Sequence, residues 1–167
     1  ANRFGLIPAW LGSGFIGGNL AEIAKLDHVV VASYKTNKPD LGGVAWAEMD
    51  LADGDSVKRA IESAKPEVVI HLGAISNIDT CEKQPDLAHA VNVRGTVSVT
   101  EAALSVGARL ISISTDNVFD GERGNYSEDD PVNPINEYGK TKVQAEEEVH
   151  KRTTHGLVVR IPLILGF

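Results

Sequence analysis

Short apolar runs alternate along this chain with stretches whose apolar positions recur at three- and four-residue spacing. Ile16, Leu20 and Ile23 predict one helix face, and residues 28–34, with Val29, Val30 and Val31 in succession, predict a buried β-branched strand. A turn-rich segment over 36–43 leads to a weaker strand over 44–49. Asp53 or Asp55 then caps a helix on which Val57, Ala60, Ile61 and Ala64 share a side. Pro66 precedes a fully apolar strand over 68–72. A long helix is expected over 84–106, with Val91, Gly95, Val99 and Ala102 on one side and Gly107 where a helix ends. A strand over 110–114, a polar loop over 120–136, a helix from Tyr138 to about residue 153 and a strand over 157–163 complete the series.

Strands that are apolar on both faces, alternating with helices, call for a parallel sheet covered on both sides. The expected fold is therefore α/β, one doubly wound parallel sheet. The first strand fits that pattern least well. Residues 5–11 include Pro8, which gives up a ladder hydrogen bond, and Trp10 and Leu11 crowd a place where small residues serve best.

Composition narrows the partners. The chain has 167 residues, enough for one domain with a sizeable core, and a formal charge of −7. That charge argues against nucleic acid or an anionic membrane as the main partner. Cys81 is the only cysteine, so no internal disulfide forms and a reducing, cytoplasmic setting is expected. No membrane span, export signal or metal-ligand spacing stands out. Glu146, Glu147 and Glu148 read as a solvated helix face, with Lys151 and Arg152 near its end.

Candidate chemistry sits in three places. Tyr138 and Lys142 are four residues apart on a predicted helix, which puts phenol and ammonium on one face. A cation there would favour the phenolate and bring the tyrosine into range for proton transfer to a carbonyl oxygen. Thr115 closes the strand upstream. Gly12, Gly14 and Gly17, with Phe15 and Ile16 between them, give the G-x-G-x-x-G spacing that lets backbone amides approach a pyrophosphate at a helix N-terminus. The following strand ends in Tyr34-Lys35, where an NAD site would carry a carboxylate. A cation and no carboxylate there favour NADP(H) over NAD(H), although Lys35 could equally be a solvated loop residue. Asp50-Leu51, just after the third strand, is placed to meet an adenine, or else Asp50 merely caps a turn.

The segments Gly14-Phe15-Ile16-Gly17, Asp50-Leu51, His71-Leu72-Gly73-Ala74, Asn92-Val93-Arg94-Gly95-Thr96, 114–121 and Tyr138-Gly139-Lys140-Thr141-Lys142 occur in an order and spacing that resemble the extended short-chain dehydrogenase/reductase superfamily. Within it the likeness is to the dTDP-4-dehydrorhamnose reductase branch. The resemblance implies a Rossmann domain over 1–167, stopping where the family's small substrate-binding domain would begin. It implies Thr115 bonded to a substrate carbonyl, Tyr138 as proton donor, and Lys142 holding the nicotinamide ribose while lowering the tyrosine pKa. Asn92 would support the helix and a proton-relay water, Gly73, Ala74 and Ile75 would line the nucleotide cleft, and Asp116 would face the substrate. Asn117 stands where this branch often has an aromatic residue. The family's first turn reads Thr-Gly-x-x-Gly, whereas this chain has Trp10-Leu11-Gly12-Ser13-Gly14.

Three functions follow from the resemblance. The first is NADP(H)-dependent reduction of a nucleotide-linked 4-keto sugar, with the homodimers common in the family. The second is an epimerase or dehydratase that keeps NAD tightly bound. The third is a non-catalytic regulatory subunit resembling the beta subunit of methionine adenosyltransferase, suggested by Arg160-Ile161-Pro162 followed by Gly166.

Overall fold

The computed structural model describes residues 3–7 and 15–162. Six strands, β1 (Arg3–Ile7), β2 (Val29–Tyr34), β3 (Val44–Glu48), β4 (Val68–His71), β5 (Arg109–Thr115) and β6 (Leu157–Ile161), form one sheet in the order β3-β2-β1-β4-β5-β6. Every paired neighbour is parallel. Chain order reverses between β1 and β4. Doubly wound sheets bind ligands at that point, outside the carboxyl ends of their strands. The remainder of the expected first strand, including Pro8, Trp10 and Leu11, lies outside the described residues, as do Gly12 and Gly14.

The helices are α1 (Phe15–Ala24), α2 (Gly54–Ala64), α3 (Ile78–Lys83), α4 (Pro85–Ala88), α5 (Gly95–Ser105) and α6 (Glu137–Arg152). Asp53 caps α2 by accepting from the backbone N–H groups of Asp55 and Ser56. The buried side of α1 runs through Gly17 and Ala21, whereas Ile23 is 67% exposed, so the expected Ile16–Leu20–Ile23 face is turned by about a quarter of the helix.

The single long helix expected over 84–106 is instead a broken one. Asn77 caps the separate helix α3, Pro85 starts α4, and a π-helical turn over His89–Arg94 leads into α5. Proline has no N–H to give and so starts helices well, but it cannot continue one from the preceding turn. The expected face survives the break: Val91, Gly95, Val99 and Ala102 are all buried. Val91, Val99 and Ala102 join Val57, Ile61, Val69, Leu110 and Val149 in the main core between the sheet and its helices. Gly107 ends α5 with φ +72°, a conformation that favours glycine.

Candidate active site

Thr115 ends β5, and a short 3₁₀ turn over Asp116–Val118 follows it. The threonine hydroxyl caps that turn. It accepts from the Asn117 backbone N–H at 3.2 Å and the Asn117 side-chain amide at 3.1 Å, and donates to Asp116 Oδ1 at 3.2 Å. Asn136 caps α6 by accepting from the Gly139 N–H at 2.7 Å. A Cβ at Gly139 would overlap the Asn117 carbonyl oxygen and approach Pro134 Cβ to 2.9 Å, so only glycine lets α6 seat against the turn after Thr115. The neighbouring Tyr138 is thereby brought to Thr115, whose hydroxyl acts on its phenol.

Burial raises the Tyr138 pKa, and the Thr115 hydrogen bond offsets only part of that rise. This is opposite in direction to the lowering expected from Lys142. The reason is where the ammonium goes. Lys142 is 3% exposed and its Nζ donates to the Ile113 carbonyl oxygen of β5 at 2.7 Å. Burial pulls its own pKa down to about 8, against a neighbouring Glu146 carboxylate that raises it.

Glu146 is a correction to the solvated-face reading. Only Glu147 of the three glutamates is exposed, while Glu146 is 6% exposed. Its carboxylate accepts from the Ser114 hydroxyl and from Arg160, at 2.6 Å from Nη2 and 3.1 Å from Nε. The Arg160 guanidinium lies over the Phe119 ring, which in turn stacks on Tyr126. The spacing rule that pairs Tyr138 with Lys142 puts Glu146 one turn further on the same face, so the sequence did carry this signal.

Asn92 is completely buried in the π-helical turn. Its Oδ1 accepts from the Ile75 N–H at 2.7 Å, and its amide donates to the Ile75 carbonyl at 3.0 Å and to Thr141 Oγ1 at 2.9 Å. Those bonds tie the loop after β4 to α6, so Asn92 acts here as a clamp. Thr141, absent from the sequence-derived site, is its partner and donates to the Tyr138 carbonyl at 2.7 Å. Nearby Cys81 is fully buried and bonds to the Ile75 carbonyl. His71 sits on β4 beside Ser112, with Nε2 3.0 Å from Thr96 Oγ1. Thr96 donates to the Asn92 carbonyl, so the ring N–H is on Nε2 and Nδ1 is left as a buried acceptor without a partner among the described residues.

The nucleotide side is more open. Gly73, Ala74 and Ile75 are buried just beyond β4. Leu51 packs into the core, where a Cβ on Gly73 would strike its side chain. Lys35 forms an ion pair with Asp50 at 2.8 Å, each about one-third exposed. The two residues weighed separately in the sequence are thus one unit, with Tyr34 against Trp46 beside them. Gly17 is buried in α1, with Ile16 half-buried, and Phe15 opens the helix. A cleft of about 930 Å³ lies on the β6 side, lined among others by Asp116, Asn117, Phe119, Tyr126, Glu146 and Arg160. Among the described residues, no cluster could hold a metal ion and no helix is long and apolar enough to cross a membrane.

A sheet of this order, with Thr115, Tyr138 and Lys142 gathered at the carboxyl end of β5, defines a domain of the extended short-chain dehydrogenase/reductase class. The chain belongs to the RmlD substrate binding domain family, whose profile matches residues 11–167. It is 37% identical over 139 residues to the methionine adenosyltransferase 2 subunit beta of Xenopus tropicalis, covering 83% of this chain and 40% of that protein. To the dTDP-4-dehydrorhamnose reductase of Aggregatibacter actinomycetemcomitans it is 34% identical, covering 72% of this chain and 42% of the relative. Among solved structures, a hypothetical dTDP-4-dehydrorhamnose reductase from Sulfolobus tokodaii superposes with TM-score 0.84 at 31% identity, over 96% of this chain and 56% of that one. The Bacillus anthracis dTDP-4-dehydrorhamnose reductase in complex with NADP gives 0.77 at 28% identity, over 97% and 54%. Bordetella bronchiseptica WbmG in complex with NAD and UDP gives 0.80 at 25%, over 96% and 52%. The chain spans two fifths of the curated relatives' length and just over half of the solved chains.

Proposed function

We propose that this chain is the cofactor-binding and proton-donating part of an NADP(H)-dependent reductase acting on a nucleotide-linked 4-keto sugar. The observation that carries the reading is the approach of Tyr138 to Thr115 at the carboxyl end of β5. The donor set suits a nicotinamide dinucleotide: hydroxyl and ammonium donors from Tyr138 and Lys142 for one ribose, and the Lys35–Asp50 pair for the other. When bound, that cofactor supplies a hydride. Glycines 12, 14 and 17 and residues 73–75 would take its phosphates and cleft contacts.

The protein's own part is to manage the proton. A half-buried phenol with a raised pKa is fully protonated near neutral pH, which suits a donor to the oxygen of a ketone being reduced. Thr115 supplies a second hydrogen bond to that oxygen, worth about 3 kcal/mol where such bonds tighten in the transition state. Asp116 and Asn117 face the adjacent cleft and would meet the sugar side of the substrate. Stoichiometric oxidation of NADPH on addition of a 4-keto sugar nucleotide tests the reading. Substrate conversion with no net cofactor change would assign an epimerase instead.

A regulatory subunit is the second reading, favoured by the 37% identity to the methionine adenosyltransferase beta subunit. Capture of a stoichiometric enzyme partner by a chain that oxidises no NADPH would establish it.

A further inference from the structure

Lys142 and Glu146 stand one helical turn apart on α6, and both are more than nine-tenths buried. A lysine so enclosed loses most of its hydration, and its single described hydrogen bond is to the neutral Ile113 carbonyl. Such a group sheds its proton unless a negative charge lies near. Glu146 is the buried carboxylate on that face, and it is fixed in place by Arg160 from β6 and Ser114 from β5. Arg160 is held in turn by the Glu128 carbonyl at 3.2 Å and by the Phe119 ring.

The other charged groups around α6 do not take this role. His71 from β4 is buried beside Lys142 and neutral, and would only repel if protonated. Cys81 from α3 and Asp116 after β5 bear on Tyr138, and Glu82 of α3 accepts from the Glu137 N–H. Glu101 of α5 pairs with Arg152 at the far end, while Asp86 of α4 and Arg94 of the π-helical turn are exposed.

We propose that Glu146, clamped by Arg160 and Ser114, is a positioning residue that keeps the Lys142 ammonium charged inside the fold. The inference rests on the reading of Lys142 as the ammonium of a reductase site. Arg160 plays the opposing part: by sharing the carboxylate it limits how strongly Glu146 holds the lysine proton. The site's cation is thereby tied to the β6 side of the cleft, where the Phe119–Tyr126 stack lies.

The test is a titration of Lys142 by NMR, with lysine labelled at Cε and Nζ, in the 167-residue chain and in Glu146→Gln and Glu146→Asp. In the wild type the proton should leave at about pH 8. Loss of the carboxylate in Glu146→Gln should lower the midpoint by about one pH unit or more, and its withdrawal in Glu146→Asp by less. A purely structural role gives the opposite sign, because loosened packing admits water and raises the lysine towards its ordinary value. An unchanged or raised midpoint in either variant overturns the proposal. Glu146→Asp decides alone if Glu146→Gln does not fold. In the reductase assay the alkaline limb of kcat/KM should move down in step. The titration needs no turnover, so a coupled lysine in a chain that reduces nothing would count against the reductase reading only.

Discussion

The two halves of the sheet treat polarity in opposite ways. Around β1, β2 and β3, Ser33 is the only polar side chain buried among the described residues, and the local core is a small cluster about Ala21 and Val30. Its charges meet at the rim, as Lys35 meets Asp50. Around β4, β5 and β6, buried polar groups run in series: His71, Asn92, Thr96, Ser112, Ser114, Thr115, Thr141, Lys142 and Glu146. On the proposed function, the first half binds cofactor and can leave its recognition to solvated side chains and backbone. The second moves protons and needs donors whose energies are set by burial, each given a partner.

The sharpest break in that contrast is Tyr138→Phe. It should lower turnover by about 10²- to 10⁴-fold while leaving NADPH binding, read by fluorescence titration, close to wild type. A variant with wild-type rates would remove the proton donor from the scheme. Gly139→Ala is expected to destabilise the domain by about 1–3 kcal/mol in chemical denaturation, because α6 must lift off the Asn117 carbonyl. Alanine at the exposed Gly124 meets nothing within 4 Å and should leave stability nearly unchanged.

Protonation probes the same half. His71 is held neutral in the fold, its pKa pushed from 6.5 down to about 3 by burial first and the Lys142 charge second. The unfolded chain therefore binds a proton that the folded chain refuses. Stability from this site is complete above about pH 6.5 and is lost as pH falls towards about 3. The thermal midpoint should drop across that window, and His71→Gln should make the decline shallower. An equally steep decline in the variant would place the acid sensitivity elsewhere.

The smallest effect belongs to the binding half. Asp50→Asn removes the carboxylate that meets Lys35, and should shift the NADPH-to-NADH ratio of kcat/KM towards NADPH by about two- to five-fold, the range of a partly exposed ion pair. Lys35→Ala should shift it the other way. If neither moves the ratio, the rim pair does not read the 2′-phosphate.

Strand-forming runs and helix faces were legible because burial on both sides of a parallel sheet leaves an apolar pattern that tertiary context does not disturb. Thr115, Tyr138 and Lys142 were legible for a different reason: helix spacing and the strand end fix where those side chains go. The electrostatics were not. Periodicity says which face Lys142 occupies but not that its ammonium turns to Ile113, so the direction of the Tyr138 shift came out reversed. Glu146 was misread because three successive glutamates suggest water, while its true partner, Arg160, lies beyond the helix on β6. Nor can sequence show that Gly73 leaves a hollow which the Leu51 side chain fills.

The π-helical turn over His89–Arg94 has a consequence for how this domain can change over time. Such a turn holds one residue more than an α-helical turn does. Deleting one position there would close it to an α-helical turn with the flanking helices nearly in register, but would move the side chains that the swollen turn displays. Asn92 would leave Ile75 and Thr141, and α6 would lose its anchor to the loop after β4. Single-codon losses should therefore be purged from this stretch.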